Sequence, residues 1–399
     1  MQEIFKNIKG DRTIWAVVAL LALFSFLPVY SASTNLVYVV GNGTTFGHLL
    51  KHAMLLVLGF GIIYAVHKIP FRYFKGLSII ALPVVLLLLV YTLAQGTTIG
   101  GANASRWIQV PFVGISFQTS TLAAIVLLIN VARYLAKIKD RKVTFKETIL
   151  PLWAPVFLML ILILPANFST TAIIFFMVLL VCFLGGYPVR YLLSIVGVGV
   201  LALTIFVLTA KAFPGLFPNR VDTWISRVEN FADNEDTSDD YQIEKAKIAI
   251  AKGGVVGQGA GKSIMKNFLP QSSSDFIFAI IIEEYGLVGG LVLVFLYLLL
   301  LFRIVIVAHK SDSIFGKLLV AAVGLPIIFQ AFINMAVAVE LFPVTGQTLP
   351  LISSGGTSIW MTCLALGIIL SVSARRQEEL ELKEEYTDQN PLDILSEQL

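Results

Sequence analysis

Asp275 stands at the head of an apolar run that also carries two adjacent glutamates, in Ser272-Ser-Ser-Asp275-Phe-Ile-Phe-Ala-Ile-Ile-Ile-Glu283-Glu284-Tyr-Gly286. A carboxylate at a membrane–water boundary can take a proton from an arriving hydroxyl; the same residue type also caps helix N-termini. Glu283 and Glu284 lie about 12 to 14 Å further along a helix rising 1.5 Å per residue. Two acids inside a bundle are costly unless bonded, so at least one is expected to be functional or partnered. Three features suit anions. Arg106-Trp107 follows the turn glycines Gly100 and Gly101, as an anion clamp or an interfacial anchor. Lys51 can snorkel to the interface or hold a lipid phosphate. The run Ser353-Ser354-Gly355-Gly356, after Pro343 and Pro350, offers consecutive amide hydrogens at a helix start, as an anion nest or an ordinary cap.

Two other patterns suggest chemistry and carry less. His48 and His52 share one helix face at i, i+4, a metal-binding spacing, yet no third ligand stands nearby in sequence. Gly257-Gln-Gly-Ala-Gly-Lys-Ser263 looks like a phosphate-binding loop, but the required glycine at 256 is Val256 and no strand precedes it. A glycine-rich turn bringing backbone close to a membrane surface or substrate is the better reading.

The elements positioning these residues follow from composition. Of 399 residues, 57% are apolar and 14% charged, which excludes an ordinary water-soluble chain. Cys182 and Cys363 both lie in apolar runs, which excludes a disulfide scaffold or cysteine-built zinc site. A net charge of +4 gives no sign of nucleic-acid binding. Apolar runs begin near Ile14, His48, Phe74, Ser116, Thr148, Ser169, Val189, Phe276, Phe315 and Thr357. The expected fold is therefore an all-α polytopic membrane protein of about ten transmembrane helices, the first uncleaved. Nineteen basic residues fall in the loops and ends of one face, while the short loops of the other carry Arg106 alone, so both termini are expected in the cytoplasm.

One connection is long enough to fold. Residues 212–275 form a large extracytoplasmic loop between the seventh and eighth spans, within a transmembrane domain of residues 1–374. Asp239 to Lys252 reads as an amphipathic helix with Tyr241, Ile248 and Ala251 on one side, capped by Asp239 or Asp240 and ended by Gly253-Gly254. Its lysine-rich face suits anionic headgroups or a phosphate-bearing substrate. Residues 375–399 read as a polar cytoplasmic tail, helical and then disordered.

Together these segments resemble the SEDS family, the FtsW/RodA/SpoVE group of peptidoglycan glycosyltransferases. The resemblance rests on Ala104-Ser-Arg106-Trp-Ile108, Tyr241-Gln242, Ala249-Ile-Ala-Lys252-Gly-Gly-Val-Val-Gly-Gln-Gly259, Leu269-Pro270, Asp275-Phe-Ile-Phe-Ala with Glu283-Glu284-Tyr-Gly286, Asn334, and the loop from Pro343 to Ser358. Thr348-Leu-Pro-Leu-Ile-Ser353 is closer to the division (FtsW) branch than to the elongation branch. The resemblance implies polymerisation of lipid II into β-1,4 glycan at the outer face of the cytoplasmic membrane, at the septum. Asp275 would be the general base and undecaprenyl pyrophosphate the leaving group. It implies substrate contacts from Lys51, Arg106, Gln242, Lys252, Glu283, Glu284, Asn334, Ser353, Ser354, Gly355 and Gly356. The implied partners are a class B penicillin-binding transpeptidase (FtsI-like), other division proteins, the growing glycan strand and membrane lipids.

A carboxylate at a helix N-terminus is a weakened base. Desolvation by bound lipid or a divalent cation (Mg2+ or Mn2+) at Asp275 would each answer that, and the sequence leaves both open; no other cofactor is evident. The sequence also departs from the family pattern. Thr119, Thr121 and Ala124 replace a proline, a glutamate and a lysine, Asn167 replaces an aspartate, and Ser354 a tyrosine. Neutral groups thus stand where the family has a charged pair. Two other functions compete: a lipid II flippase using Glu283 and Glu284, and a division-complex scaffold in which no acid matters.

Overall fold

The computed structural model describes residues 9–38, 43–95, 107–109, 116–212, 238–269 and 271–388. Arg106, Gly100, Gly101, Pro270, residues 213–237 of the long loop and residues 389–399 of the tail lie outside the described residues. In order, the elements are α1 (Arg12–Tyr38), α2 (Thr45–Val66), α3 (Tyr73–Gln95), β1 (Trp107–Gln109), β2 (Ser116–Gln118), α4 (Thr119–Ile138), α5 (Phe145–Ile163), α6 (Phe168–Leu184), α7 (Val189–Ala212), α8 (Ser238–Gly253), α9 (Ile277–Lys310), α10 (Ile314–Ala338) and α11 (Thr357–Asp388). Among the described residues nine helices are long and apolar enough to cross a membrane, and α6 is a shorter apolar helix. These ten begin within a few residues of the ten apolar runs. The protein is a multi-pass membrane protein.

Burial sorts the helices into inner and outer ones. The apolar windows of α10 and α11 are 61% and 72% buried, against 22% for α3 and 11% for α7, so α10 and α11 form the axis and α3 and α7 face outward. Around that axis α2 packs on α11, α4 on α10, and α9 on both α10 and α1. Leu319, Ala331, Leu366 and Ile369 are fully buried there. A turn of π-helix, Ile149–Trp153, interrupts α5; Pro151 lies within it and Pro155 just after it, and each proline removes an amide donor. The hairpin β1–β2 pairs Trp107 with Gln118 and runs directly into α4. It is tied to the start of α11, because the Thr357 hydroxyl donates to the Ser116 carbonyl at 3.2 Å.

Helix α9 departs from a simple span. Gly286, at φ 67° and ψ −170°, breaks it into a short segment, Ile277 to Tyr285, and a longer apolar remainder. The break removes the helical bonds from the amides of residues 287 and 288 to the carbonyls of 283 and 284. The loop after α8 replaces all four groups. Leu287 N donates to Gly254 O at 2.9 Å and Val288 N to Val255 O at 3.2 Å. In return Gln258 N and Gly259 N donate to the carbonyls of Glu283 and Glu284, both at 2.9 Å. Every polar group freed by the kink is thereby satisfied, as burial among apolar helices demands. The glycine-rich stretch 253–259 thus approaches the backbone of α9 closely. A Cβ on Gly253, Gly257 or Gly286 would overlap main-chain atoms of the opposing strand.

The amphipathic helix α8 ends at Gly253, with Gly254 in the left-handed region at φ 53°. Its packed side differs from the expected one. Ile243, Ala246 and Ala249 are buried against α9, whereas Tyr241 and Ala251 are exposed. The small alanines and Gly253 let the two helices approach closely, so close packing selects that face over the bulkier residues.

Glu283 and Glu284 are both buried at the end of the short α9 segment. Glu283 accepts from the amides of Ile264 at 3.0 Å and Met265 at 3.2 Å, and from the Ser263 hydroxyl. Glu284 accepts from the Ser31 hydroxyl of α1, which in turn accepts from Lys266 Nζ at 3.0 Å. The pair anchors the returning loop onto α9 and α1. Replacing Glu283 with Gln exchanges an acceptor-only group for one that points a donor at other donors. We expect a loss of about 2 to 3 kcal/mol, read as a lowered midpoint of thermal unfolding in detergent; an unchanged midpoint would show that the carboxylate does not hold the loop.

Candidate functional site

The segment 271–276 makes a tight turn before α9, with Gln271 at φ 61° and its carbonyl accepting from Ser274 N at 2.9 Å. Phe276, not Asp275, occupies the N-cap position of α9, without a side-chain capping bond. Asp275, half-buried, immediately precedes it. It lies along the last long loop, where a Cβ on Gly346 would sit 3.5 Å from Asp275 Oδ2.

That turn is held in place through its main chain. Asn334, on α10, donates from Nδ2 to the carbonyl oxygens of Asp275 and Gln347, both at 2.7 Å. The Ser353 hydroxyl donates to the Ser274 carbonyl at 2.6 Å and accepts from Leu349 N at 2.7 Å. Ser354 N donates to the Ser273 carbonyl at 2.9 Å. Two loops distant in sequence are thus stitched side by side through these main-chain bonds.

The loop 342–356 is fixed from below. Gln330, one helical turn before Asn334 on α10, donates to the Thr348 carbonyl at 2.9 Å, and Tyr297 of α9 donates to the Pro350 carbonyl at 2.5 Å. Gln347 Nε2 donates to the Thr170 hydroxyl at 3.1 Å, which links the loop to the start of α6. Asn167 caps α6 by accepting from Thr170 N at 3.1 Å. Beneath the loop lies a cavity of about 100 Å3, lined by Thr121, Ala124, Thr170, Gln330, Gln347 and Ser358 among apolar neighbours. The uncharged Thr121 and Ala124, singled out in the sequence, thus line the cavity under the Asp275 loop.

Of the expected site residues, the structure brings together Asp275, Asn334, Ser353 and Ser354. Gly355 and Gly356 lead directly into α11. The amides of Ser353, Ser354 and Gly355 bond to the carbonyls of Leu349, Ser273 and Ser353, so three of the four amides of the expected nest are already engaged within the protein. Lys51 is exposed on α2, a helix that packs on α1 and α11. Gln242 and Lys252 lie on α8, Gln242 half-buried and Lys252 exposed, and Glu283 and Glu284 hold the returning loop. Buried His52 meets Ser25 Oγ through Nε2 at 2.7 Å, and no group of three or more His, Cys, Asp or Glu among the described residues converges on a metal-sized point. Sequence reasoning passed over Gln330 and the Gln347–Thr170 link. The visible signal for the first was a pair of amides, Gln330 and Asn334, at i, i+4 on one face of an otherwise apolar helix.

Asn334 gives a test of the stitching. We expect Asn334→Ala to cost about 1 to 3 kcal/mol by orphaning two buried carbonyls. It should also slow activity on the order of 10- to 100-fold by letting Asp275 drift. A variant that lost stability but kept its turnover would show that Asn334 does not position the carboxylate.

Residues 11–378 match the family profile described as "Cell cycle protein", the FtsW/RodA/SpoVE group. A probable peptidoglycan glycosyltransferase FtsW of Coxiella burnetii is 30% identical over 378 residues, covering 92% of this chain and 97% of that protein. One of the same description from Geobacter sulfurreducens is 32% identical over 371 residues, covering 92% and 95%. Among solved structures, a chain from work on polymerisation and crosslinking by a peptidoglycan synthase complex superposes with a TM-score of 0.70 at 26% identity, covering 92% of this chain and 98% of its own. The rod shape determining protein RodA of Thermus thermophilus superposes at 0.65 with 25% identity, covering 92% and 97%. With a profile matching from the start of α1 into the last turns of α11, and relatives matched over nearly their whole length, this chain belongs to the FtsW/RodA/SpoVE family.

Proposed function

We propose that this chain is a peptidoglycan glycosyltransferase that polymerises lipid II, with Asp275 as general base. The carrying observation is the placement of Asp275: a half-buried carboxylate beside Gly346, on a turn whose main chain is fixed by Asn334, Ser353 and Ser354. The base removes the proton of the acceptor's GlcNAc 4-hydroxyl as that oxygen attacks C1 of the donor's MurNAc. The α-linked undecaprenyl pyrophosphate leaves, and a β-1,4 bond forms with inversion. Because the N-cap position belongs to Phe276, the α9 dipole acts on this carboxylate less directly than at a capping residue.

The leaving pyrophosphate needs cations or amide hydrogens. With three of the nest amides bonded internally, the candidates are Arg106, outside the described residues, and the exposed Lys51. A divalent cation would find one carboxylate at Asp275 and would draw its other ligands from pyrophosphate oxygens and water. Family relation and the basic-residue pattern favour the outer face of the cytoplasmic membrane at the septum, and a class B transpeptidase as partner. The similarity to a chain of a peptidoglycan synthase complex supports that pairing.

The flippase reading relies on Glu283 and Glu284 lining a route, but both are bonded to loop and helix groups. The test is glycan formation from purified lipid II by the detergent-solubilised protein, alone and with a class B transpeptidase. Glycan strands support the proposal; head-group translocation in vesicles without any glycan would replace it with the transporter.

A further inference from the structure

A second site lies against the middle of α11, well away from the Asp275 loop at its start. A cavity of about 310 Å3 opens where the residues before α1, the end of α2 and the turns Ser371–Glu378 of α11 meet. Lys9, Lys68 and Arg375 line it, and among the described residues Glu378 is the one carboxylate in its wall. Glu378 bonds Lys9 Nζ at 2.9 Å and Arg375 Nη1 at 3.4 Å, so the described wall carries three cations to one anion. His67, packed against Trp15 and Tyr64, also lines the cavity. Ser371, another lining residue, is 2% exposed, and its hydroxyl has no hydrogen-bond partner. A buried hydroxyl without a partner beside three cations is a group waiting for a polar ligand.

The position of the cavity narrows the ligand. The outward face of α2 is apolar through Val57 and Leu58, and the helix ends at Val66, two residues before Lys68. Lysine at the end of such a helix stands at headgroup level. Ser371 follows Thr357 by fourteen residues of helix, about 21 Å at 1.5 Å per residue, so this site is separate from the Asp275 loop. Basic pockets between transmembrane helices suit phosphate-bearing headgroups. We propose that this cavity binds a phosphate group, presented by an anionic phospholipid, through Lys9, Lys68, Arg375 and the Ser371 hydroxyl. Bound there, the phosphate joins the segment before α1, α2 and α11, and its binding energy adds to the stability of the bundle.

The experiment uses the full-length protein in detergent, with lipid retention read by native mass spectrometry and thermal unfolding followed in parallel. Phosphatidylglycerol, phosphatidylcholine and inorganic phosphate are the probes. Phosphatidylglycerol should be retained and raise the midpoint, phosphatidylcholine not. The Lys68→Gln/Arg375→Gln variant should lose retention by roughly 10-fold or more, at about 1 kcal/mol for each cation near the surface. Ser371→Ala should lose less, and Arg141→Gln/Lys142→Gln, in the loop after α4, nothing. Unchanged lipid-free midpoints and glycan synthesis in the variants would show that they fold. Retention by the double variant within twofold of the parent, or an equal loss in the loop control, would overturn the proposal. Stabilisation by inorganic phosphate alone, lost in the double variant, would keep the phosphate chemistry and overturn the lipid as its source.

Discussion

Asp275→Asn is expected to slow lipid II polymerisation by about 10^2- to 10^4-fold, the range that a positioned general base contributes, while leaving the protein folded. Both halves follow from how the turn is held. Asn334 bonds the main-chain carbonyl of Asp275, Ser353 that of Ser274, and Ser354 that of Ser273, none of them through the carboxylate. A near-isosteric amide therefore leaves those main-chain bonds in place while it removes the negative charge and the capacity to accept a proton. Initial rates of glycan formation, with the unfolding midpoint measured on the same preparations, separate the two effects. A rate equal to the parent's would remove Asp275 from the role of base. Asp275→Glu should recover little, because the added methylene displaces the carboxylate by about 1 Å, a misplacement that costs on the order of 100-fold in a positioned catalytic group.

Much of this architecture is legible in the sequence because the bilayer enforces it. The ten apolar runs become helices since a backbone in lipid must satisfy its own hydrogen bonds, and hydropathy alone finds them. Asp275 is legible for a related reason, a charged residue at the head of an apolar segment needing a purpose, whereas Asn334 is legible only through the family resemblance. Pairings made at a distance are not. Ser353-Ser354-Gly355-Gly356 reads locally as an anion nest, yet the Ser354 amide is taken by the carbonyl of Ser273, far away in sequence. The packed face of α8 was hidden because a partner that demands close approach selects alanine and glycine over Tyr241. The break in α9 was hidden too, since Glu283-Glu284-Tyr-Gly-Leu-Val sits inside an apolar run whose period never changes.

That break supplies the second large effect. Gly286→Ala is expected to destabilise the protein by about 3 kcal/mol or more, at the upper end of the cost of a strained backbone residue before steric overlap is counted. The conformation at φ 67° and ψ −170° is open to glycine and essentially closed to other residues. The added Cβ would also overlap the Val255 carbonyl, whose oxygen accepts from Val288 N. Relief by straightening α9 would restore its helical bonds but strand the groups of Gly254, Val255, Gln258 and Gly259 that now pair with it. Gly254→Ala is the matched control, with φ 53°, a region that alanine enters at a cost of about 1 to 2 kcal/mol, and nothing within 4 Å of its Cβ. In detergent, Gly286→Ala should give little monodisperse protein by size exclusion and a sharply lowered unfolding midpoint, and Gly254→Ala a modest shift. Equal behaviour of the two would mean that the interlock does not hold the returning loop. Because that loop carries α8 to the Asp275 turn, its release should also cost activity in whatever Gly286→Ala protein remains folded.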